Sequence, residues 1–303
     1  MLIDLQVHRL STTSLTVWIL AMPKVYRRRK RPVTLVENRG TSGTPRASRT
    51  VIRKFHRLLK QQKSARGDTL ANVNREIEEL GGLERYQRMS CIGQGMDRGG
   101  GSEKVLIEWM KQMGWADRKE KGERRHRLLE VGAVKPDNYR GCTSWLDATA
   151  IDLRSRHPSI LEQDFLLMDQ SRHREAWDVI SLSLVLNFVP DGKDRGRMLV
   201  QAHSMIRPGG LCFLALPLPC VNNSRYMTSE RMGELMDAVG FSRLEERWRP
   251  GGKMIYWLYR RRPTPEKWAG KPFGKKEVLR QGGSRNNFHI LLQRPTAAAS
   301  EES

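Results

Sequence analysis

From Leu128 to Arg262 short apolar runs alternate with helical runs, and this alternation constrains the fold of the 303-residue chain more than any other feature. The apolar runs fall at 128–131, 148–152, 159–163, 177–182, 211–216, 241–248 and 254–260, each too short for a typical helix. After the fourth, a helical pattern covers 191–206 and ends at Arg207-Pro208-Gly209-Gly210. A later helix, capped by Thr228 or Ser229, carries Met232, Leu235, Met236 and Val239 and stops at Gly240. Strands separated by helices need crossover connections, which run right-handed over a parallel sheet. The segment therefore reads as a doubly wound α/β fold. The last two runs have no helix between them and predict a hairpin that ends the sheet.

Upstream the spacing is helical. Leu70, Val73, Ile77 and Leu80 recur at helical intervals before Gly81-Gly82. "LERYQRM" continues as helix, "GQGMDRGGGS" forms a glycine loop, and Ser102 is placed to cap a helix bearing Val105, Leu106, Trp109, Met110 and Met113. Residues 67–127 thus read as a helical cap with a polar linker, 128–262 as the α/β domain, and 263–303 as a C-terminal extension. Within that extension "NNFHILLQR", residues 286–294, is strand-like.

A hydrophobic fraction of 38% and a mean hydropathy of -0.60 are low for a chain packed throughout. Between Lys24 and Arg66 stand fifteen Lys or Arg and one acid, Glu37, so 14 of the 21 net positive charges lie there. Such a run repels itself and buries little, so residues 1–66 are expected to be a disordered basic tail until a polyanion neutralises them. "YRRRKRP", 26–32, suits a nuclear import signal or an RNA-contacting arm. "VIRKFHRLLK" puts Val51, Ile52, Phe55, Leu58 and Leu59 on one helical face, a helix that RNA or a partner would induce. "LTVWILAM", 15–22, is too short to span a bilayer and lacks a basic n-region and a small-residue cleavage site, so no membrane role is expected. Met22 makes a natural start for a basic-tailed chain, so the first 21 residues are expected to be either dispensable or not part of the protein. Cys91, Cys142, Cys212 and Cys220 form no CxxC pair, which suits reduced thiols and excludes the usual zinc spacing.

Ligands of an open α/β sheet sit at the carboxyl ends of its strands. Gly132 ends the first run, two residues after Glu130, and its missing side chain lets a ligand approach the backbone. Asp152 ends the second run, where an acid can accept from both hydroxyls of a ribose. Asp164 ends the third and can accept from the exocyclic amine of adenine, with Phe165 beside it to cover the ring. Ser181 and Ser183 end the fourth. Any one of these acids alone reads as a helix cap or a surface charge; three at successive strand ends read as a site. A dinucleotide would need a G-x-G-x-x-G loop for its pyrophosphate, but Ala-Val-Lys-Pro follows Gly132. A ligand with ribose and no phosphate fits better, and S-adenosylmethionine is such a ligand.

The order of these motifs over residues 128 to 262 resembles that of class I methyltransferases. A more specific resemblance rests on "RYQRMSCIGQGMDRGGGSEKVLIEWM", "LLEVGAVKPDN", "WLDATAIDLRS", "EQDFLLM", "SLSLVLNFVPD", "RPGGLCFLALPLPCVNNSRYMT" and "GGKMIYWLYRR". These look like the fungal family that methylates N1 of an adenine in 25S ribosomal RNA. The resemblance implies a Rossmann-like class I sheet and S-adenosylmethionine as cofactor. It assigns Glu130 and Gly132 to the first cofactor motif, Asp152 to the ribose and Asp164 to the adenine. It implies large-subunit rRNA or the pre-ribosome as partner, and the nucleus and nucleolus as location. Metazoan relatives include a sensor of S-adenosylmethionine, so a non-catalytic sensor is the alternative reading; a nicotinamide oxidoreductase is disfavoured by the missing phosphate loop. The basic tail favours the RNA enzyme, because phosphate contacts reward clustered cations.

Adenine N1 carries its own lone pair, so the reaction needs orientation more than a strong base. N1 lies on the pairing edge, and the base must leave its helix to react. Asn187 and Phe188, after the fourth run, and Tyr226 in "PLPCVNNSRY", with Asn222, Asn223 and Arg225, are expected to hold the base. For Asn187 a helix cap, and for Phe188 a core position, are the plain alternatives. Arg88, Gln94 and the "RGGGS" loop are expected to close over the cofactor.

Overall fold

The computed structural model describes residues from Thr50 to Gln293 except 52–53, 56, 60, 63–64, 83–84, 86–100, 118–123, 156 and 265–272. The first 21 residues, "YRRRKRP", Arg88, Gln94, Cys91 and most of the glycine loop therefore lie outside the described residues.

The apolar runs form a seven-stranded sheet: β1 (His126–Val131), β2 (Leu146–Asp152), β3 (Leu161–Glu162), β4 (Trp177–Ser183), β5 (Ile206–Pro217), β6 (Phe241–Trp248) and β7 (Met254–Arg261). Their order is β3-β2-β1-β4-β5-β7-β6, parallel from β3 through β5, with β7 antiparallel to both β5 and β6. This is the doubly wound, Rossmann-like sheet that the strand–helix alternation predicts, with the expected hairpin ending it. The order reverses between β1 and β4, which opens a crevice at their carboxyl ends. The hairpin turns its second strand inward for a physical reason. In β7, Met254, Ile255, Trp257, Leu258 and Tyr259 are all buried, whereas β6 carries Arg243, Glu245 and Arg247. The apolar strand takes the interior place beside β5, and the charged one takes the edge.

Side chains alternate between the two sheet faces. On one face Leu128, Val179, Phe213 and Leu258 pack against Leu106, Trp109 and Met110 of a helix, Ser102–Gln112. Burying each of those three helical side chains stabilises by about 2 kcal/mol. On the other face Leu129, Ile180, Leu214 and Trp257 meet two further helices, Gly192–Met205 and Ser229–Val239. Among the described residues the continuous α-helices are, in chain order, α1 (Gly67–Glu79), α2 (Ser102–Gln112), α3 (Gly192–Met205), α4 (Pro219–Asn222) and α5 (Ser229–Val239). At the amino end of β4, fully buried Asp178 accepts from the Arg127 amide at 2.6 Å and pairs with Arg124 at 3.0 Å and with Arg207. Cys142, Cys212 and Cys220 are free. Among the described residues no helix is long and apolar enough to cross a membrane.

Several expectations change. The N-cap of α2 is Gly101, not Ser102, whose hydroxyl instead lies 2.6 Å from that of Ser183 at the end of β4. The apolar stripe of α2 belongs to the sheet's own core, so a boundary at 128 cuts through a hydrophobic cluster. Phe55 and Leu58, placed in the basic tail, are buried against Val73 and Ile77 of α1, which gives that apolar face a partner within the chain. β5 starts at Ile206, which pairs with Trp177; the register then skips to Leu211 opposite Val179, so the Arg-Pro-Gly-Gly turn bulges out of the strand. Among the described residues, the strand-like segment from 286 on forms no named strand; it makes an isolated bridge, Ser224 to Asn286. Its apolar side chains Phe288, Ile290 and Leu292 join the core cluster on the α3 side.

Candidate cofactor and base site

β1 delivers Glu130 and Gly132 to the crevice. Gly132 has φ +74, a left-handed conformation that costs an L-residue about 1–2 kcal/mol, and a Cβ there would stand 2.9 Å from Val185 Cγ2. The glycine therefore serves a turn, and it lets the loops after β1 and β4 approach closely. Its amide and that of Ala133 both donate to the Ile151 carbonyl, at 2.9 and 3.0 Å, which places Gly132 beside Asp152 at the end of β2. Asp152 is half-buried and accepts from the Arg154 amide at 2.9 Å through one oxygen.

Glu130 shares a sheet face with Ser181, its register partner on β4. It is 8% exposed, and Asn138 Nδ2 donates to its Oε1 at 2.6 Å. Burial pushes this carboxyl up to about 7, opposed by the Asn138 bond and reinforced by Glu103. The neighbouring Tyr139 hydroxyl is pushed well above its usual range, chiefly by burial and then by Glu130. Sequence reasoning missed Asn138 and Tyr139; the "KPDNY" stretch just after Gly132 was the available signal. Ser181, expected to meet the cofactor, is 1% exposed and hydrogen-bonds Tyr139, so its hydroxyl is spent on the floor of the site.

Asp164 stands after β3, where it was expected, yet its Oδ1 caps a short 3-10 turn by accepting from the Leu166 amide at 2.8 Å. Phe165 does not cover a ring site: it is 3% exposed and packed in the core, its carbonyl accepting from Gln201 Nε2. The exposed apolar side chains at these strand ends are Leu153, 62% exposed after β2, and Leu167, 76% exposed after β3. They suit the faces of a flat heterocycle better than Phe165 does.

The loop after β4 is strained. Leu184 takes φ +58, held by its amide bond to the Ala215 carbonyl at 2.9 Å. Asn187 follows, and its buried Oδ1 has no hydrogen-bond partner. Phe188 is partly buried against the cluster beneath α2, so the core reading holds for part of its ring. Tyr226, in the loop after β5, lies edge-on to His289 at 5.9 Å, with Lys276 Nζ 5.9 Å from its ring centre. The structure thus brings Glu130, Gly132 and Asp152 together at the switch point, adds Asp164 along the same sheet end, and places Asn187 in the loop that touches Gly132.

These residues fit S-adenosylmethionine. A side-chain-free turn at Gly132, an acid at the end of β2 and the exposed Leu153 and Leu167 would stand against its amino-acid part, ribose and adenine in turn. Comparison with known proteins gives the family of the chain. The family described as "25S rRNA (adenine(2142)-N(1))-methyltransferase, Bmt2" matches residues 71–290. The 25S rRNA adenine-N(1) methyltransferase of Schizosaccharomyces pombe is 34% identical over 253 residues, spanning 79% of this chain and 89% of its own length. The 25S rRNA (adenine(2142)-N(1))-methyltransferase of Saccharomyces cerevisiae is 29% identical over 261 residues, spanning 81% and 73%. Among solved structures, 1,6-didemethyltoxoflavin-N1-methyltransferase of Burkholderia thailandensis superposes with a TM-score of 0.41 at 15% identity, over 53% of this chain and 76% of its own. With the match to its family running from α1 into the C-terminal extension, the chain belongs to the 25S rRNA (adenine(2142)-N(1))-methyltransferases.

Proposed function

We infer that the protein transfers a methyl group from S-adenosylmethionine to N1 of an adenine in large-subunit ribosomal RNA, acting on the RNA or a pre-ribosome in the nucleus and nucleolus. Family membership supports the reaction, and one local observation carries the base. Asn187 Oδ1 is a buried acceptor without a donor, next to the loop that touches Gly132. Leaving such a group unpaired costs about 1–3 kcal/mol, which a ligand that donates a hydrogen bond recovers. The exocyclic amine of adenine is such a donor, and it sits beside N1 on the same edge. Bound S-adenosylmethionine supplies the electrophilic methyl group. The protein's part is to hold that edge against it, with Asn187 accepting from the amine and Phe188 and Tyr226 offering ring surface. No side chain has to remove a proton before N1 attacks.

The test incubates the purified protein with labelled S-adenosylmethionine and stripped large-subunit RNA, then maps the label by reverse-transcription stops, since N1 methylation blocks the pairing edge. A stop at one adenine that is lost in Asn187→Ala is the expected result. Cofactor binding without transfer to any RNA would replace this reading by that of a sensor.

A further inference from the structure

Residues 273–293 contain no helix or strand, yet they tie together the two loops that carry Asn187, Phe188 and Tyr226. The segment lies along α3, where the Leu291 amide donates to the Gly192 carbonyl at 2.9 Å. The pair Gly192 and Gly196, four apart, clears that face: a Cβ on Gly196 would overlap the Leu291 carbonyl, and one on Gly192 would overlap the His289 ring. Between them Arg195, 5% exposed, reaches in two directions. Its Nε donates to the Val189 carbonyl at 2.9 Å, in the loop of Asn187, and its Nη1 donates to the His289 carbonyl at 2.6 Å, in the segment itself.

The other connection, 218–227, which includes α4, is held from the same segment. Arg280 donates to the carbonyls of Asn222 at 2.7 Å, Met227 at 2.6 Å and Val221. Arg225 reaches back to Asn287 Oδ1 at 2.6 Å and the Gly282 carbonyl at 2.9 Å. The Asn286 amide donates to the Asn223 carbonyl at 2.9 Å, and its side chain to that of Pro219 at 2.6 Å. The backbone of 218–227 therefore takes much of its hydrogen bonding from residues more than fifty positions away.

We propose that residues 273–293 are a positioning strap that fixes the two base-facing loops relative to each other, with Arg195 and Arg280 as its positioning residues. This rests on the reading that those loops receive the target base. A transfer that relies on orientation is sensitive to small displacements: a shift of about 1 Å can lower the rate by about a hundredfold. Arg280 is suited to the task because a planar guanidinium can reach three carbonyls at once, which a lysine ammonium on a flexible stem does poorly.

The experiment compares Arg280→Ala, Arg280→Lys and Gly196→Ala in the full chain. It measures kcat and KM on stripped large-subunit RNA, S-adenosylmethionine affinity by calorimetry, melting temperature, and hydrogen exchange. Arg280→Ala should lower kcat at least tenfold while cofactor affinity stays within twofold, and Arg280→Lys should fall between it and wild type. Exchange should quicken in 218–227 for Arg280→Ala, and in both 184–190 and 218–227 for Gly196→Ala, which displaces the strap without touching either loop. Should Arg280→Ala fail to fold, Gly196→Ala carries the test alone. Unchanged kcat, or a loss of kcat matched by equal losses of cofactor affinity and melting temperature, overturns the proposal. If wild type modifies no RNA, the functional reading fails separately. Exchange then decides the strap: quickening confined to the two loops supports it, and unchanged exchange refutes it.

Discussion

Replacing Glu130 with glutamine should stabilise the ligand-free protein at alkaline pH and change little in acid. The carboxyl is raised from 4.5 to about 7, mainly because burial penalises its charged form. That is about 2.5 units, or about 3 kcal/mol at about 1.4 kcal/mol per unit. The sign follows from proton binding. Between these two values the folded protein keeps a proton that the unfolded chain has lost, so stability falls as pH rises through that range. The contribution is whole below pH 4.5 and lost above about pH 7. A carboxamide never ionises, and its oxygen still accepts from Asn138. Urea unfolding at pH 4.5, 5.5, 6.5 and 8.5 should show the variant gaining on wild type with each step, by up to about 3 kcal/mol at the last. Parallel stability curves for the two proteins would refute the account, because they would mean that Glu130 ionises in the fold as it does in water. The cofactor adds a second check. If the cofactor's ammonium lies against Glu130, it favours the charged carboxylate, and wild-type affinity for S-adenosylmethionine should rise between pH 6 and pH 7 more than that of Glu130→Gln.

Gly132→Ala should weaken S-adenosylmethionine binding at least tenfold by calorimetry, because a Cβ at φ +74 adds about 1–2 kcal/mol of backbone strain and pushes on Val185. Wild-type affinity would remove Gly132 from the site. Deleting residues 1–49 removes nine Lys or Arg between Lys24 and Arg49 but leaves Phe55 and Leu58 on α1. RNA affinity should drop, and its log–log salt slope should flatten by about 0.7–0.9 for each phosphate that the shortened chain leaves unneutralised. Nuclear accumulation of a tagged protein should fall as well, because "YRRRKRP" is gone. Cofactor affinity should not move; if it falls, the tail belongs to the pocket.

How much of this was legible beforehand depends on the distance over which each feature is decided. The strands could be read because burial leaves its mark on consecutive residues: "LLEV", "WDVISL" and "MIYWLY" are apolar runs of strand length. α5 could be read from its spacing, from Thr228 accepting the Arg231 amide at its start, and from Gly240 at its end. The placement of Gly132 and Asp152 at adjacent strand ends could be read because each follows directly from its own apolar run. Roles that depend on which distant side chains meet could not. Whether Ser181 faces a ligand or Tyr139, whether Phe165 covers a ring or fills the core, and whether Ser102 caps its helix or reaches Ser183, 81 residues away, all turn on packing. The strap shows this most clearly. "NNFHILLQR" has the composition of a strand, but the two glycines of α3 offer its backbone a close seat and Arg195 and Arg225 satisfy its polar groups. Local pattern determined that this segment would be buried; only the tertiary structure decided against what, because burial is a property of a residue and contact is a property of a pair.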